Sequence, residues 1–203
     1  MIDSLLSAFF TWEALAVALA VAYLLLAIRQ NIWCWAAAAA STLIFLFVMY
    51  QAGLYMESAL QVFYLAMAGY GWWQWRGGAA RGGALAVTTW PLRNHLVALA
   101  VIALLVVSSG GLLQQFTQAA LPFWDSLTTW GAVVATYMVA RKILENWIYW
   151  FVIDAISVGL YTARGLNLTA LLFVAYLVMI VIGYRSWRAS MPNNNTGRAE
   201  YDT

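Results

Sequence analysis

The sequence predicts an all-α polytopic membrane protein of seven transmembrane helices. They are arranged as two parallel three-helix repeats joined by a linker helix (three, one, three), with the N-terminus outside and the C-terminus cytoplasmic. Three observations carry this reading. The chain is 65% hydrophobic and 9% charged, whereas a soluble domain carries about 25% charged residues because its surface must face water. Its apolar stretches run for roughly 17–21 residues, enough to cross a hydrocarbon core of about 30 Å. The second half of the chain repeats the first at an offset of 112 residues.

The first span runs from about Trp12 to Ile28. The opening Met1-Ile2-Asp3-Ser4 lacks a basic leader and the apolar stretch outruns a signal-peptide core, so this span is expected to be retained. The second span covers about Ile32 to Ala52 and the third Glu57 to Trp75. A glycine- and arginine-rich connector follows, holding Arg76, Arg81, Pro91 and Arg93. The fourth span covers His95 to Leu113, the fifth Trp124 to Ala140, the sixth Trp147 to Ala163 and the seventh Asn167 to Tyr184. Residues 1–93 thus form the first repeat with its basic connector, 94–123 the linker helix and 124–188 the second repeat. Residues 189–203 are expected to be a disordered cytoplasmic tail, since Pro192 and the run Asn193-Asn194-Asn195 offer nothing to bury.

Orientation follows from the basic residues. Arg29, Arg76, Arg81, Arg93, Arg141, Lys142, Arg185, Arg188 and Arg198 fall on one side of this topology and Arg164 on the other. The positive-inside rule places the first group in the cytoplasm. Lying in short loops, these residues do not make the continuous basic face that nucleic acid would need. Twelve tryptophans and eleven tyrosines supply interfacial belts and suit a flat ring ligand within the bundle.

The repeat is densest in the third and seventh spans. Gly53–Arg76 and Gly165–Arg188 are identical at ten of 24 positions, among them Tyr64 with Tyr176, Gly71 with Gly183 and Trp75 with Trp187. The same offset pairs Trp12 with Trp124 and Arg29 with Arg141. Near the first loop, a local offset of 115 pairs Asn31 with Asn146 and Trp35 with Trp150, which sets Asp154 against Ala39. The two units begin four spans apart, so both cross in the same direction. Parallel repeats of this kind place a transporter's site between the halves near the midplane.

Candidate site residues follow from chemistry set against an apolar background. Asn146, Trp150 and Asp154 are spaced i, i+4, i+8 and share one face of the sixth span, with Trp147 beside them. An amide, an indole and a carboxylate on one face can bond, stack on and charge-match a cationic aromatic ligand. Asp154 lies mid-span, where a carboxylate costs about 2.5–3.5 kcal/mol and normally faces a cavity or a partner such as Ser157. Gln61, set against Phe173 by the repeat, is placed with Tyr64 and Tyr176 along the axis between the halves. Thr128 and Thr129 are expected to bond back to their own helix. Trp33 and Trp35 are read as anchors or gate packing, Cys34 as packing, and His95 as interfacial. No dinucleotide fingerprint, Walker sequence or paired metal-ligand spacing occurs, so no cofactor or metal is expected.

These residues resemble a known family. N-W-I-Y-W at 146–150 followed by Asp154, and Y-G-W-W-Q-W-R at 70–76, are similar to the PnuC family of bacterial vitamin transporters, and the resemblance spans Trp12 to Arg188. The three-one-three arrangement also resembles that of the SWEET transporters. The resemblance implies a multi-pass protein of the bacterial inner membrane that carries nicotinamide riboside by facilitated diffusion. It also implies a homotrimer and a cytoplasmic riboside kinase that traps the product. Relatives carry thiamine or riboflavin instead. Two other classes remain open: an intramembrane enzyme with Asp154 as its acid, and a substrate-binding component serving another protein.

Overall fold

The computed structural model describes residues 2–51, 55–80, 85–116, 121–163 and 167–191. Among these residues there are seven helices: α1 (Ile2–Ile28), α2 (Trp33–Gln51), α3 (Tyr55–Ala80), α4 (Leu92–Phe116), α5 (Pro122–Ala140), α6 (Asn146–Ala163) and α7 (Asn167–Ala189). Each predicted span falls within one helix, apart from a residue or so at either end of the second. The helices outrun the spans mainly at α1, α3, α4 and α7, because hydropathy marks where the chain is apolar while the helix ends elsewhere. The polar tail from 192 onward lies outside the described residues. Three helical stretches, Trp33–Gln51, Leu92–Phe116 and Ala170–Ala189, are long and apolar enough to cross a membrane by composition alone. Exposed Trp12 and Trp124 at one end and Trp33 and Trp73 at the other stand where interfacial indoles belong.

Two groups of helices pack together. α2 lies against α1 and α3, and α6 lies against α5 and α7; the groups meet where α3 touches α5 and α1 touches α7. α4 leans on α5, with the Trp130 indole donating to Ser109 Oγ at 3.0 Å. Elsewhere hydroxyls bridge helices: Ser41 donates to the Ala16 carbonyl at 2.8 Å and Ser58 to the Leu46 carbonyl at 3.1 Å. Such bonds, together with small residues, hold membrane helices together where lipid weakens the hydrophobic drive.

The two tight loops that follow α1 and α5 have the same hydrogen-bond pattern. Arg29, Gln30, Asn31, Cys34 and Trp35 donate their amides to Leu25, Ala27, Leu26, Asn31 and Ile32; Arg141, Lys142, Ile143, Asn146 and Trp147 donate to Tyr137, Val139, Met138, Ile143 and Leu144. Every pair differs by 112. Gln30 and Lys142 also share a left-handed backbone, with φ of 54° and 50°, in a position usually given to glycine because a side chain there costs about 1–2 kcal/mol. The local offset of 115 is therefore corrected. Position for position, Trp35 corresponds to Trp147, Cys34 to Asn146 and Thr42 to Asp154, and no insertion occurs in the loop.

Close approach explains the paired glycines. A methyl built on Gly71 would overlap the Trp35 ring, and one built on Gly183 would overlap the Trp147 ring. Each of these indoles then meets the tryptophan one turn further on, edge to face: Trp35 on Trp75 at 5.6 Å and Trp147 on Trp187 at 5.4 Å. Trp75 and Trp187 lie 6.2 Å apart, so four indoles form a chain across the interface. Their N–H groups cross over as well. Trp187 donates to the Ala27 carbonyl at 2.9 Å and Trp75 to the Ala140 carbonyl at 3.2 Å, both at helix ends, where carbonyls have acceptor capacity to spare.

The connector returns to the same end of the bundle. Thr88 pairs with the loop after α5, taking a bond from the Leu144 amide at 2.8 Å and giving one to the Lys142 carbonyl at 3.0 Å. The Trp90 amide donates to Glu145 at 3.2 Å. His95 sits here beside Tyr149, with Nδ1 3.1 Å from its hydroxyl, away from the cavity described below.

Candidate functional site

α6 begins directly after the second tight loop, and the loop geometry fixes its first turn. The Asn146 side-chain amide donates to the Ile143 carbonyl at 2.6 Å, which caps the turn and orients the side chain. From there Asn146, Trp147, Trp150 and Asp154 run along one flank of α6 into a cavity of about 280 Å³. α7 contributes Phe173, Tyr176 and Ile180, α1 contributes Ala20, Tyr23, Leu24 and Ala27, and Val139 closes it from α5. The i, i+4, i+8 stripe thus spans about 12 Å of depth at 1.5 Å per residue.

Five of the seven predicted residues meet at this cavity: Asn146, Trp147, Trp150, Asp154 and Tyr176. Gln61 and Tyr64 are not among its walls. Their positional counterparts, Phe173 and Tyr176, are. Among residues the sequence reading did not single out, Tyr23 and Phe173 matter most. Tyr23 is a phenol in the otherwise aliphatic stretch Ala14–Ile28 of α1, and that polarity was its signal. Phe173 was visible as one half of the Gln61–Phe173 asymmetry, of which the polar member drew attention. Thr128 bonds back to the Asp125 and Trp124 carbonyls, as expected, and Cys34 is buried packing.

Three polar groups at the cavity are available to a ligand. Asn146 is fully buried, and with its nitrogen committed to Ile143 its carbonyl oxygen has no hydrogen-bond partner among the described residues. The Trp147 indole nitrogen is in the same state. A buried polar atom without a partner costs about 1–3 kcal/mol, which a ligand's hydrogen bond can recover. Asp154 is 5% exposed and forms no hydrogen bond or ion pair among the described residues. Ser157, its expected partner, instead donates to the Ile153 carbonyl at 2.9 Å. An acceptor, a donor, a carboxylate and several aromatic faces in one apolar pocket suit a flat, cationic ring bearing a polar substituent.

A second, more open groove of about 580 Å³ lies between α3, α4 and α5. Its walls are largely apolar, with Arg93 and Asn94 at one end, and it holds none of the predicted site residues.

The comparisons with known proteins agree with this architecture. A family profile described as nicotinamide mononucleotide transporter matches residues 10–189. The chain is 30% identical to the riboflavin/roseoflavin transporter RibM of Streptomyces davaonensis, covering 81% of this chain and 78% of that protein. It is 28% identical to the nicotinamide riboside transporter PnuC of Escherichia coli, covering 69% of each. A crystal structure of the vitamin B3 transporter PnuC superposes with a TM-score of 0.70 at 20% identity, over 88% of this chain and 80% of that one. These relatives are transporters, not enzymes, and membrane proteins, as the apolar helices here require. The chain belongs to the nicotinamide mononucleotide transporter family, the PnuC-type membrane transporters that its sequence resembles.

Proposed function

We propose that this protein carries nicotinamide riboside across the bacterial inner membrane by facilitated diffusion, in the cavity between α1, α6 and α7. The observation that carries the reading is the convergence of Asn146, Trp147, Trp150, Asp154 and Tyr176 on that one cavity. The pyridinium would lie against Trp150 and Tyr176, with its charge offset by Asp154, and the carboxamide N–H would bond the Asn146 carbonyl oxygen. In this reading α1–α3 and α5–α7 are parallel repeats joined by α4. The arginine-bearing end faces the cytoplasm, where a riboside kinase traps the product, and the chain assembles as a homotrimer. Support comes from the matched loops, the crossed indole bonds and the nine basic residues on one side.

Riboflavin is the second reading, favoured by the 30% identity to RibM. Two properties of the cavity weigh against it. Its volume, about 280 Å³, sits at the lower edge of the roughly 300–1,000 Å³ typical of small-molecule sites, which suits one ring with a sugar better than three fused rings. An unpaired Asp154 also has no counter-charge in a neutral flavin.

Proteoliposomes holding this chain alone provide the test. Labelled nicotinamide riboside is expected to equilibrate without an ion gradient or ATP. Flavin flux without riboside flux would transfer the assignment to the second reading, and binding without flux would mark a component that needs a partner. Asp154→Asn sharpens the choice. Losing a charged partner is worth about 1.5–3 kcal/mol, so riboside affinity should fall about 10–100-fold in calorimetry while affinity for riboflavin holds. Equal riboside binding by wild type and Asp154→Asn would remove the carboxylate from the site.

A further inference from the structure

We propose that Gln30 and Lys142 form a latch that closes the arginine-bearing end of the solute path, and that the latch must part for solute to leave on that side. The proposal rests on the transporter reading above. Lys142 Nζ donates to Gln30 Oε1 at 3.0 Å, joining the two positions that correspond across the interface between the helix groups. Both residues hold the left-handed backbone usually given to glycine. A glycine would sit there without strain but would offer no side chain, so the strained conformation is kept where a side chain is used.

The latch is tied to the cavity walls. Ala27 and Val139 are wall residues, and Gln30 and Lys142 each follow one of them by three positions, in the loops just past the ends of α1 and α5, with their backbone amides bonded back to the Ala27 and Val139 carbonyls. Gln30 extends the closure by donating from Nε2 to Ser190 Oγ at 2.6 Å, and Ser190 in turn bonds the Trp187 carbonyl at 2.8 Å. The Lys142 ammonium stands 4.6 Å over the Trp75 ring, and the residue as a whole is 5% exposed. Trp75 and Trp187, with their crossed bonds to Ala140 and Ala27, make the layer beneath. Apart from the Ser190–Trp187 bond within the end of α7, these contacts join one helix group to the other.

The partners are chosen for opening as well as closing. Lys142 meets an amide and an aromatic face, with no carboxylate among its described contacts. Burial already draws its ammonium below the usual lysine value. A carboxylate at position 30 would instead make this part-buried contact charge-assisted, and so harder to separate.

Two substitutions pull in opposite directions, and the chain's one cysteine reports on both. Cys34 is fully buried in the first turn of α2, packed with Ala27, Trp75 and Trp187 behind the latch. In oriented membrane vesicles, Lys142→Met is expected to speed labelling of Cys34 by a membrane-impermeant maleimide at least tenfold, from the arginine side. Gln30→Glu is expected to slow both that labelling and riboside flux at least tenfold, with riboside affinity within threefold of wild type. Gln30→Glu gives up the donor to Ser190 but keeps the acceptor for Lys142 and makes that bond charge-assisted, so it keeps the proposal falsifiable if Lys142→Met fails to fold. Wild-type labelling and flux in both variants would overturn the latch. Faster labelling of Lys142→Met from the opposite membrane face would keep the latch and overturn the orientation. Labelling that responds to both substitutions, when the wild-type protein carries no riboside, would keep the latch and overturn the substrate.

Discussion

Gly183→Ala is expected to weaken both the fold and ligand binding. The added methyl would overlap the Trp147 ring, which is 2% exposed and locked edge-on against Trp187. The ring cannot swing aside without breaking that contact, so the cost should fall in the overpacking range of about 1–3 kcal/mol, read as a lower thermal midpoint in detergent. Trp147 is also a cavity wall, so the displaced indole should lower riboside affinity by about tenfold or more in calorimetry. Gly71→Ala separates the two effects. It crowds Trp35 in the same way, but Trp35 does not line the cavity, so stability should fall while affinity holds. Gly69→Ala, which meets nothing within 4 Å, should leave both unchanged. Wild-type affinity in a destabilised Gly183→Ala would show that the site does not depend on where Trp147 stands.

Asn146→Leu should dissociate stability from function. The substitution loses the bond to the Ile143 carbonyl, worth about 0.5–1.5 kcal/mol, but also removes an oxygen that is buried without a partner, which costs about 1–3 kcal/mol. The two terms nearly cancel, so the thermal midpoint of the ligand-free protein should stay close to wild type or rise. Binding has no such compensation. With no acceptor for the carboxamide, affinity should fall roughly 10–100-fold, and the thermal shift on adding riboside should shrink with it. A variant that unfolds early would mean that the loop cap outweighs the orphaned oxygen. One that binds as wild type would exclude Asn146 as a ligand contact.

The sequence made the helices legible because hydropathy is a long-range average, and seven such averages survive errors at their ends. The α6 stripe was legible for a related reason: i, i+4, i+8 spacing holds on any helix, whatever packs against it. What could not be read was which side of α3 and α7 faces the cavity. Gln61 and Phe173 occupy equivalent positions, yet Phe173 reaches the cavity and Gln61 does not, because the cavity lies on the α1–α7 side of the interface, walled by α1, α6 and α7 and not by α3. The offset of 115 was drawn from matched Asn and Trp letters. Backbone hydrogen bonds set the correspondence at 112 instead, placing Asn opposite Cys and leaving Trp150 opposite Ala38. Side-chain identity is a poor guide in a loop whose conformation is fixed by main-chain carbonyls.

Thr88 gives the connector a mechanical allegiance that its place in the chain conceals. The segment follows α3 in sequence, yet its backbone is stitched to the loop after α5 and its Trp90 amide is held by Glu145. α4, which it leads into, rests on α5 as well. The loop after α1 has no such stitch among the described residues. If the two helix groups rock against each other, α4 and its connector travel with the second, although the chain joins them to the first.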